Sequence, residues 1–205
     1  KYEALVRINT KDGSLLSPGE FLQHIKKTRL YGALTREVVT ISVDTANLLG
    51  CTISVNLSIQ DILDHETKNF IFEKLHQYGG ANIIFEITET EAVQDFNSVN
   101  EFIKQVRRFG AKIAIDDFGS GYSNFAYLVE IKPDYIKIDV DGIEHLILKG
   151  GIKTLKKTKS VLVEVDDNFE KGAIAEAKGD GETACNYFRK VPVGSPNYCE
   201  AKTRC

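Results

Sequence analysis

The sequence contains no methionine and no tryptophan, and only four of its 205 residues are proline. It also lacks an apolar run close to the ~20 residues that a membrane-spanning helix needs, so we expect no membrane span in this segment. Basic residues are not in excess, since 26 Lys and Arg stand against 29 Asp and Glu. This balance argues against binding of a nucleic-acid polymer. Because there is no initiator methionine, we expect Lys1 to begin a segment of a longer protein.

Cysteine is scarce and unevenly placed. Cys51 stands alone in the first part of the chain, while Cys185, Cys199 and Cys205 lie close together near its C-terminal end. No two cysteines have the Cys-X-X-Cys spacing of a zinc site. Two interpretations stay open for the last three: reduced thiols, or a disulfide between two of them. The low cysteine usage favours a cytoplasmic protein.

What the sequence does contain indicates a folded domain. Hydrophobic residues make up 42% of the chain and charged residues 27%, a composition typical of globular proteins. A chain of 205 residues can bury a sizeable core. It is nevertheless short for an eight-stranded α/β barrel, which takes about 250 residues.

Short apolar segments alternate with amphipathic ones along most of the chain. The apolar segments predict strands, and the amphipathic ones predict helices. The predicted strands cover 2–8, 52–57, 82–88, 112–117, 135–140 and 160–165, and the predicted helices cover 34–49, 64–78, 95–109 and 146–155, with a further helix starting at 17–20. Such alternation is typical of parallel βα units. We therefore predict an α/β fold with a TIM-barrel-like βα repeat that is incomplete or atypical in its C-terminal third.

Hard oxygen donors lie at the C-terminal ends of several predicted strands. They are Asn56, Glu86, Asp116 and Asp117, and we group Glu3, on the first predicted strand, with them. In a barrel these strand ends converge on one mouth, where four carboxylates would repel one another unless cations neutralised them. Oxygen ligands without His or Cys suit Mg²⁺ or Mn²⁺. The adjacent aspartates could serve two metal ions that activate water and hold a phosphoryl group. Lys137, on the next strand, and Arg7 could then contact the water or the phosphate.

Five motifs occur in a fixed order. They are Glu-Ala-Leu-Val-Arg at 3–7, Val-Asn-Leu-Ser at 55–58, Phe-Glu-Ile-Thr-Glu at 85–89, Asp-Asp-Phe-Gly-Ser-Gly-Tyr-Ser at 116–123 and Pro-Asp-Tyr-Ile-Lys-Ile-Asp at 133–139. In this order they resemble the motifs of EAL-domain phosphodiesterases, which hydrolyse cyclic di-GMP. The resemblance covers residues 1 to about 139. It implies a TIM-barrel-like fold. It also implies that the five oxygen donors named above bind metal, with two Mg²⁺ or Mn²⁺ ions per site.

The resemblance also implies roles for other residues. Lys137 would orient the attacking water, and Leu5 and Arg7 would contact the substrate. Residues 117–123 are similar to a flexible loop of the family, in which Gly119 and Gly121 allow unusual backbone angles.

Two further carboxylates have roles by the same resemblance. Glu89 would stabilise the loop at 117–123. The family carries a later strand that ends in a catalytic glutamate, and the segment 161–166 is similar to it in character. That similarity makes Glu164 a second catalytic candidate beside Lys137.

A second resemblance begins near residue 134. The segment from there to about 169 is similar to the C-terminal part of FkbM-type methyltransferases, which share the Ile-Lys-Ile-Asp core at 136–139. We therefore divide the chain into an EAL-like portion at 1–139, an FkbM-like βα segment at 140–170 that continues the sheet, and a tail of unknown class at 171–205. Gly80-Ala81-Asn82 imitates the cofactor loop of such methyltransferases but precedes a predicted strand.

Three hypotheses for the function follow. The first is metal-dependent hydrolysis of cyclic di-GMP to linear pGpG. The second is a degenerate, inactive EAL domain that binds cyclic di-GMP or another protein, since motifs late in the family pattern have no full counterpart here. The third is a fragment of an S-adenosylmethionine-dependent methyltransferase. The expected partner is a cyclic dinucleotide, and a homodimer is consistent with the family. A cytoplasmic segment of a longer, membrane-linked signalling protein fits the first two hypotheses.

Overall fold

A computed structural model describes residues 1–119, 125–138, 144–155, 158, 160–163, 175–176, 178–180 and 182–183. Its chain forms two compact units, Lys1–Ala114 and Ile115–Cys205. In both units, short strands alternate with helices, and the α/β class predicted from the sequence is confirmed.

Five strands lie wholly in the first unit. They are β1 (Tyr2–Glu3), β2 (Ile8–Asn9), β3 (Leu15–Leu16), β4 (Ile53–Asn56) and β5 (Ile83–Thr88). Strand β4 pairs in parallel with β1 on one side and with β5 on the other. Strands β2 and β3 form a separate antiparallel hairpin. The predicted strand at 2–8 is therefore divided: Tyr2–Glu3 form β1, residues 4–7 belong to no strand, and Ile8 starts the hairpin that turns at residues 11–13.

Six helices accompany these strands. They are α1 (Pro18–Ile25), α2 (Arg29–Leu49), α3 (Ile59–Leu63), α4 (His65–Tyr78), α5 (Glu89–Gln94) and α6 (Phe96–Arg108). Their first residues follow capping side chains: Ser17 and Glu20 form a capping box at α1, and Thr28 caps α2. Helix α2 ends at Gly50, whose left-handed backbone (φ 60°) is favourable for glycine.

The core of the first unit is aliphatic and aromatic. Phe102 on α6 packs its ring against Phe72 of α4 and Phe85 of β5, with centroid distances of 5.7 and 5.8 Å. Ile71 and Leu75, one turn apart on α4, are fully buried. Strand β5 is buried on both faces, as a parallel strand covered by helices should be.

The second unit contains the remaining elements. They are β6 (Lys112–Asp116), which crosses the boundary between the units, α7 (Phe125–Ile131), β7 (Tyr135–Ile138), α8 (Glu144–Leu155) and β8 (Ser160–Val163). Strands β7 and β8 pair in parallel around α8, so the second unit also contains a βα unit. Asp139, Cys185, Cys199 and Cys205 lie outside the described residues.

Three short helices, α3, α5 and α7, were not predicted. Two residues separate the last residue of β4 from the first residue of α3, and α5 begins directly after β5. Ser58 and Thr88 accept hydrogen bonds from backbone N–H groups of these helices and so start them. None of the helices in the described part of the chain combines the length and the apolar character needed to cross a membrane.

Candidate metal centre

Three of the five predicted oxygen ligands meet in the first unit. The Asn56 Nδ2 atom donates a hydrogen bond to Glu3 Oε1 at 2.9 Å. The Lys1 Nζ atom lies 3.2 Å from Glu86 Oε1. We call Lys1, Glu3, Asn56 and Glu86 the first cluster.

Parallel pairing explains why these residues meet. Glu3 ends β1, and Asn56 ends β4. Asn56 lies directly opposite Glu86 in the β4–β5 ladder. Neighbouring strands are about 4.8 Å apart, so the side chains of Asn56 and Glu86 at matched positions can reach one another. Asn56 also reaches Glu3, although the β1–β4 register pairs Glu3 with Ser54. The convergence of strand ends expected from the sequence is therefore present within this unit.

The amide of Asn56 has a defined orientation. Glu3 Oε1 is an acceptor, so the nitrogen of the amide must face it at 2.9 Å. The oxygen of Asn56 is thereby the atom directed away from Glu3. An amide oxygen held in this way is a suitable ligand for a hard cation.

Glu86 is the buried member of the first cluster. Its side chain is only 1% exposed, whereas that of Lys1 is 38% exposed. A buried carboxylate is costly without a cation or hydrogen-bond donors beside it. The Lys1 ammonium places a positive charge beside the Glu86 carboxylate, in the position where a bound metal ion would place one.

The second cluster lies in the second unit and consists of Asp116, Asp117 and Lys137. The Lys137 Nζ atom donates to Asp116 Oδ2 at 2.7 Å, and both side chains are mostly buried. The backbone N–H of Asp117 donates to Asp116 Oδ1 at 2.9 Å. Both oxygens of Asp116 therefore have donors, and the ion pair with Lys137 is a short, charge-assisted contact.

The backbone after Asp116 is unusual. Asp117 has φ of 52° and Gly119 has φ of 106°. Asp117 therefore adopts the left-handed region, which non-glycine residues rarely occupy. Phe118 is fully buried between them, and its N–H donates to the Lys137 carbonyl at 3.0 Å. This hydrogen bond anchors the turn at the end of β6.

The donor chemistry of both clusters fits a hard divalent cation. Together they contain carboxylate and amide oxygens but no His or Cys, the set that Mg²⁺ or Mn²⁺ prefers. In each cluster, a lysine ammonium already forms an ion pair with a carboxylate: Lys1 with Glu86, and Lys137 with Asp116. Within the described residues, no group of three or more His, Cys, Asp or Glu side chains is placed to hold a metal ion.

The predicted substrate residues lie at the surface. Arg7 is exposed, and its Nη1 atom donates to the neighbouring Val6 carbonyl at 2.8 Å. Leu5 is 60% exposed. Glu89, the predicted loop-stabilising residue, is 2% exposed at the start of α5.

Two predicted site residues cannot be placed. Gly121 and Glu164 lie outside the described residues. Lys1, by contrast, is a site residue that sequence reasoning missed. It precedes Glu3 by two positions on an extended segment, which is the spacing that brings alternate side chains to one face.

The family comparisons agree with the motifs. The EAL domain family model matches residues 1–156, and the methyltransferase FkbM domain model matches residues 123–191. The chain is 31% identical over 153 residues to the cyclic di-GMP phosphodiesterase PdeB of Shewanella oneidensis, covering 71% of the chain but 18% of that protein. It is also 31% identical over 120 residues to the cyclic di-GMP phosphodiesterase PdeA of Borreliella burgdorferi, covering 54% of the chain and 18% of that protein.

Solved structures show the same similarity. The chain matches the PaMucR phosphodiesterase in its c-di-GMP complex with a TM-score of 0.73 and 25% identity, covering 85% of the chain and 78% of that structure. It matches the FimX EAL domain of Pseudomonas aeruginosa, bound to c-di-GMP, with a TM-score of 0.74 and 22% identity over 85% of the chain and 77% of that structure. These neighbours confirm the TIM-barrel-like fold.

Proposed function

The chain belongs to the EAL domain family, and from that premise we propose that it hydrolyses one phosphodiester bond of cyclic di-GMP to linear pGpG. The first cluster is the observation that carries this proposal. Its three oxygen-donor residues come from three neighbouring strands, and a buried carboxylate among them already attracts a cation. Such an arrangement supports chemistry on an anionic phosphate ester.

Metal dependence is general among EAL phosphodiesterases. We propose Mg²⁺ or Mn²⁺ here, two ions per site, with Glu3, Asn56, Glu86, Asp116 and Asp117 as ligands. When bound, the ions would acidify a water molecule and neutralise charge on the phosphate. The hard-donor set of the two clusters supports this choice.

The chain's own residues would hold the reactants. The Lys137 ammonium, mostly buried beside Asp116, would donate a hydrogen bond that orients the attacking water. Arg7 is exposed and could leave its hydrogen bond to the Val6 carbonyl to bind phosphate oxygens in a bidentate contact, and Leu5 would contact the substrate. As water adds to phosphorus, the bond to one bridging oxygen breaks, and the product carries one free hydroxyl and one terminal phosphate.

The loop after β6 would contain Gly119 and Gly121 and would be stabilised by Glu89. Glu164 would act as a second catalytic residue beside Lys137. The location of Glu89 at the start of α5, with its side chain buried, supports a structural role. The positive φ of Gly119 supports a tight loop.

The experiment is hydrolysis of cyclic di-GMP in the presence of Mg²⁺ or Mn²⁺, followed by chromatographic detection of pGpG. We expect product from the unaltered chain and none from Glu3→Gln or Asp116→Asn. The matched control is Glu37→Gln, which neutralises an exposed carboxylate on α2 and should leave the rate unchanged. Absence of product with either metal, from a folded chain, would refute the proposal.

Binding without turnover is the second candidate. The Lys1–Glu86 ion pair favours it, because the ammonium competes with a metal for the buried carboxylate. Tight binding of cyclic di-GMP with no pGpG would identify this case. The methyltransferase hypothesis has no supporting geometry at Gly80-Ala81-Asn82, which lies before β5 instead of after a strand.

We further propose that the chain changes from the EAL pattern to the FkbM pattern near residue 139, with segments at 1–139, 140–170 and 171–205. The overlap of the two family matches, at 123–156, supports a junction in this region. A cyclic dinucleotide as partner, a homodimer and a cytoplasmic location complete the proposal. The chain spans less than a third of the length of the first relatives it matches, so these features concern this segment.

A further inference from the structure

A buried carboxylate lies close to the first cluster but is not part of it. Asp61 on α3 is 2% exposed. Its Oδ2 atom accepts from the Ser58 backbone N–H at 2.9 Å and from Ser58 Oγ at 2.8 Å. The bond from the Ser58 N–H belongs to the capping box that begins α3, and the other arm of that box is the Asp61 N–H donating to Ser58 Oγ.

Two more donors reach Asp61 from a different helix. Thr35 Oγ1 donates to Asp61 Oδ1 at 2.7 Å. The Tyr31 OH group lies 3.0 Å from Ser58 Oγ and 3.2 Å from Asp61 Oδ2, and its one proton is shared between these two acceptors. Both donors lie on α2, one helical turn apart. Burial, and then the nearby Asp61 charge, raise the pKa of Tyr31, so the phenol keeps its proton and remains a donor.

These four contacts exceed what α3 needs. A capping box requires only its two arms between Ser58 and Asp61, and α3 is five residues long. The contacts from α2 instead connect a helix of 21 residues to the corner between β4 and α3. Four acceptor contacts also account for the burial of the carboxylate, which would otherwise be unfavourable.

The corner held by Asp61 carries Asn56. Ser58 follows Asn56 by two residues, and the intervening Leu57 donates its N–H to the Glu86 carbonyl at 2.9 Å. The backbone after Asn56 is therefore fixed at two successive residues, by β5 and by Asp61. A shift at Ser58 would be transmitted to the Asn56 amide, whose oxygen must be directed correctly to bind a metal.

We propose that Asp61 is a positioning residue for Asn56, and that it sets the metal affinity of the first cluster by connecting α2 to the β4–α3 corner. This inference rests on the proposed function, because it takes Asn56 as a metal ligand. It does not require Asp61 to contact the metal or the substrate. Outer contacts of this kind change metal affinity by 10- to 100-fold in other sites.

The test is titration of the unaltered chain, Asp61→Asn and Asp64→Asn with Mn²⁺ in a calorimeter, together with thermal unfolding of each. Asp64 is the matched control: its side chain caps α4 through the Thr67 N–H at 2.9 Å, whereas the side chain of Asp61 contacts Ser58 at the start of α3. We expect the dissociation constant for Mn²⁺ to rise about tenfold in Asp61→Asn and to stay unchanged in Asp64→Asn. Equal affinities in the two variants would overturn the proposal, whatever their unfolding temperatures.

Thr35→Val separates positioning from helix capping. It removes one donor from α2 and leaves both Ser58 contacts in place. We expect a weaker Mn²⁺ affinity than in the unaltered chain, with a smaller change than in Asp61→Asn. An unchanged affinity would limit Asp61 to capping and overturn the inference.

Hydrolysis distinguishes failure of this inference from failure of the proposed function. In Asp61→Asn, excess Mn²⁺ should restore kcat to near that of the unaltered chain, which a purely structural defect would not allow. If the unaltered chain binds Mn²⁺ but makes no pGpG, the proposed function fails while the affinity comparison still decides the role of Asp61. If the unaltered chain binds no Mn²⁺, both proposals are refuted.

Discussion

Removal of the Lys1 ammonium should strengthen metal binding at the first cluster. In the metal-free protein, Lys1 Nζ contacts Glu86 Oε1 at 3.2 Å. A divalent cation that binds Glu86 must displace this group or tolerate it nearby. In Lys1→Gln the competing charge is gone, so the same cation binds without that cost.

The geometry gives the size of the effect. Two unit charges at 3.2 Å interact by about 1.3 kcal/mol in the dielectric of water and by about 5 kcal/mol at an effective dielectric constant of 20. Because the Lys1 side chain is 38% exposed, the lower value is the better guide. A difference of about 1.4 kcal/mol corresponds to roughly tenfold in affinity. We therefore expect the Mn²⁺ dissociation constant of Lys1→Gln to fall roughly tenfold.

Calorimetric titration with Mn²⁺ measures this directly, and the metal concentration at half-maximal hydrolysis should fall in parallel. Lys27→Gln is the matched control, because it removes an exposed lysine of the same unit that lies outside the first cluster. An unchanged affinity in Lys1→Gln would refute the competition. An equal gain in Lys27→Gln would show a general effect of net charge instead.

Three further predictions concern stability. Phe102→Ala should lower the free energy of unfolding by about 3–5 kcal/mol in urea titration, because the ring is buried against two others; a loss below about 1 kcal/mol would contradict this packing. Gly80→Ala should lower the free energy of unfolding by about 1–3 kcal/mol, because a Cβ there would lie 2.9 Å from the Ala111 backbone nitrogen. Gly19→Ala is the control and should not destabilise the protein, because the space around Gly19 is open. Equal changes in the two variants would contradict this prediction. The raised pKa of Tyr31 means that, as pH rises above about 10, the unfolded chain loses this proton first and stability falls. Tyr31→Phe should show a shallower decline in urea stability over that range, and an identical decline would exclude a contribution from Tyr31.

Longer helices of the first unit were predictable because their apolar spacing and caps are both local signals. Helix α6, predicted at 95–109, spans Phe96–Arg108, with Asp95 as its cap. Helix α2 starts earlier than predicted, at Arg29, because Thr28 and not a hydrophobic residue determines its first turn. The short helices α3 and α5 were missed because five or six residues show no clear 3.6-residue period.

The candidate site was predictable where parallel pairing alone determines which residues are neighbours. Asn56 is the last residue of β4, and Glu86 lies on the adjacent strand β5. The parallel register of these strands places the two residues directly opposite each other. Lys1 was not predictable in the same way, because a lysine is not a metal ligand and its contact depends on side-chain reach. Asp61 was missed for a related reason: its partners on α2 lie 26 and 30 residues away, and no local pattern brings them together.

Burial and charge connect these findings. Glu86 and Asp61 are both almost fully buried carboxylates in the first unit, yet their surroundings differ. Asp61 accepts hydrogen-bond contacts only from neutral groups, three at Oδ2 and one at Oδ1, and these donors are fixed in the fold. Glu86 instead contacts the ammonium of Lys1, whose side chain is 38% exposed. A buried carboxylate is therefore structural where neutral donors fixed in the fold surround it, and it is a candidate for exchanging one cation for another where an ammonium contacts it.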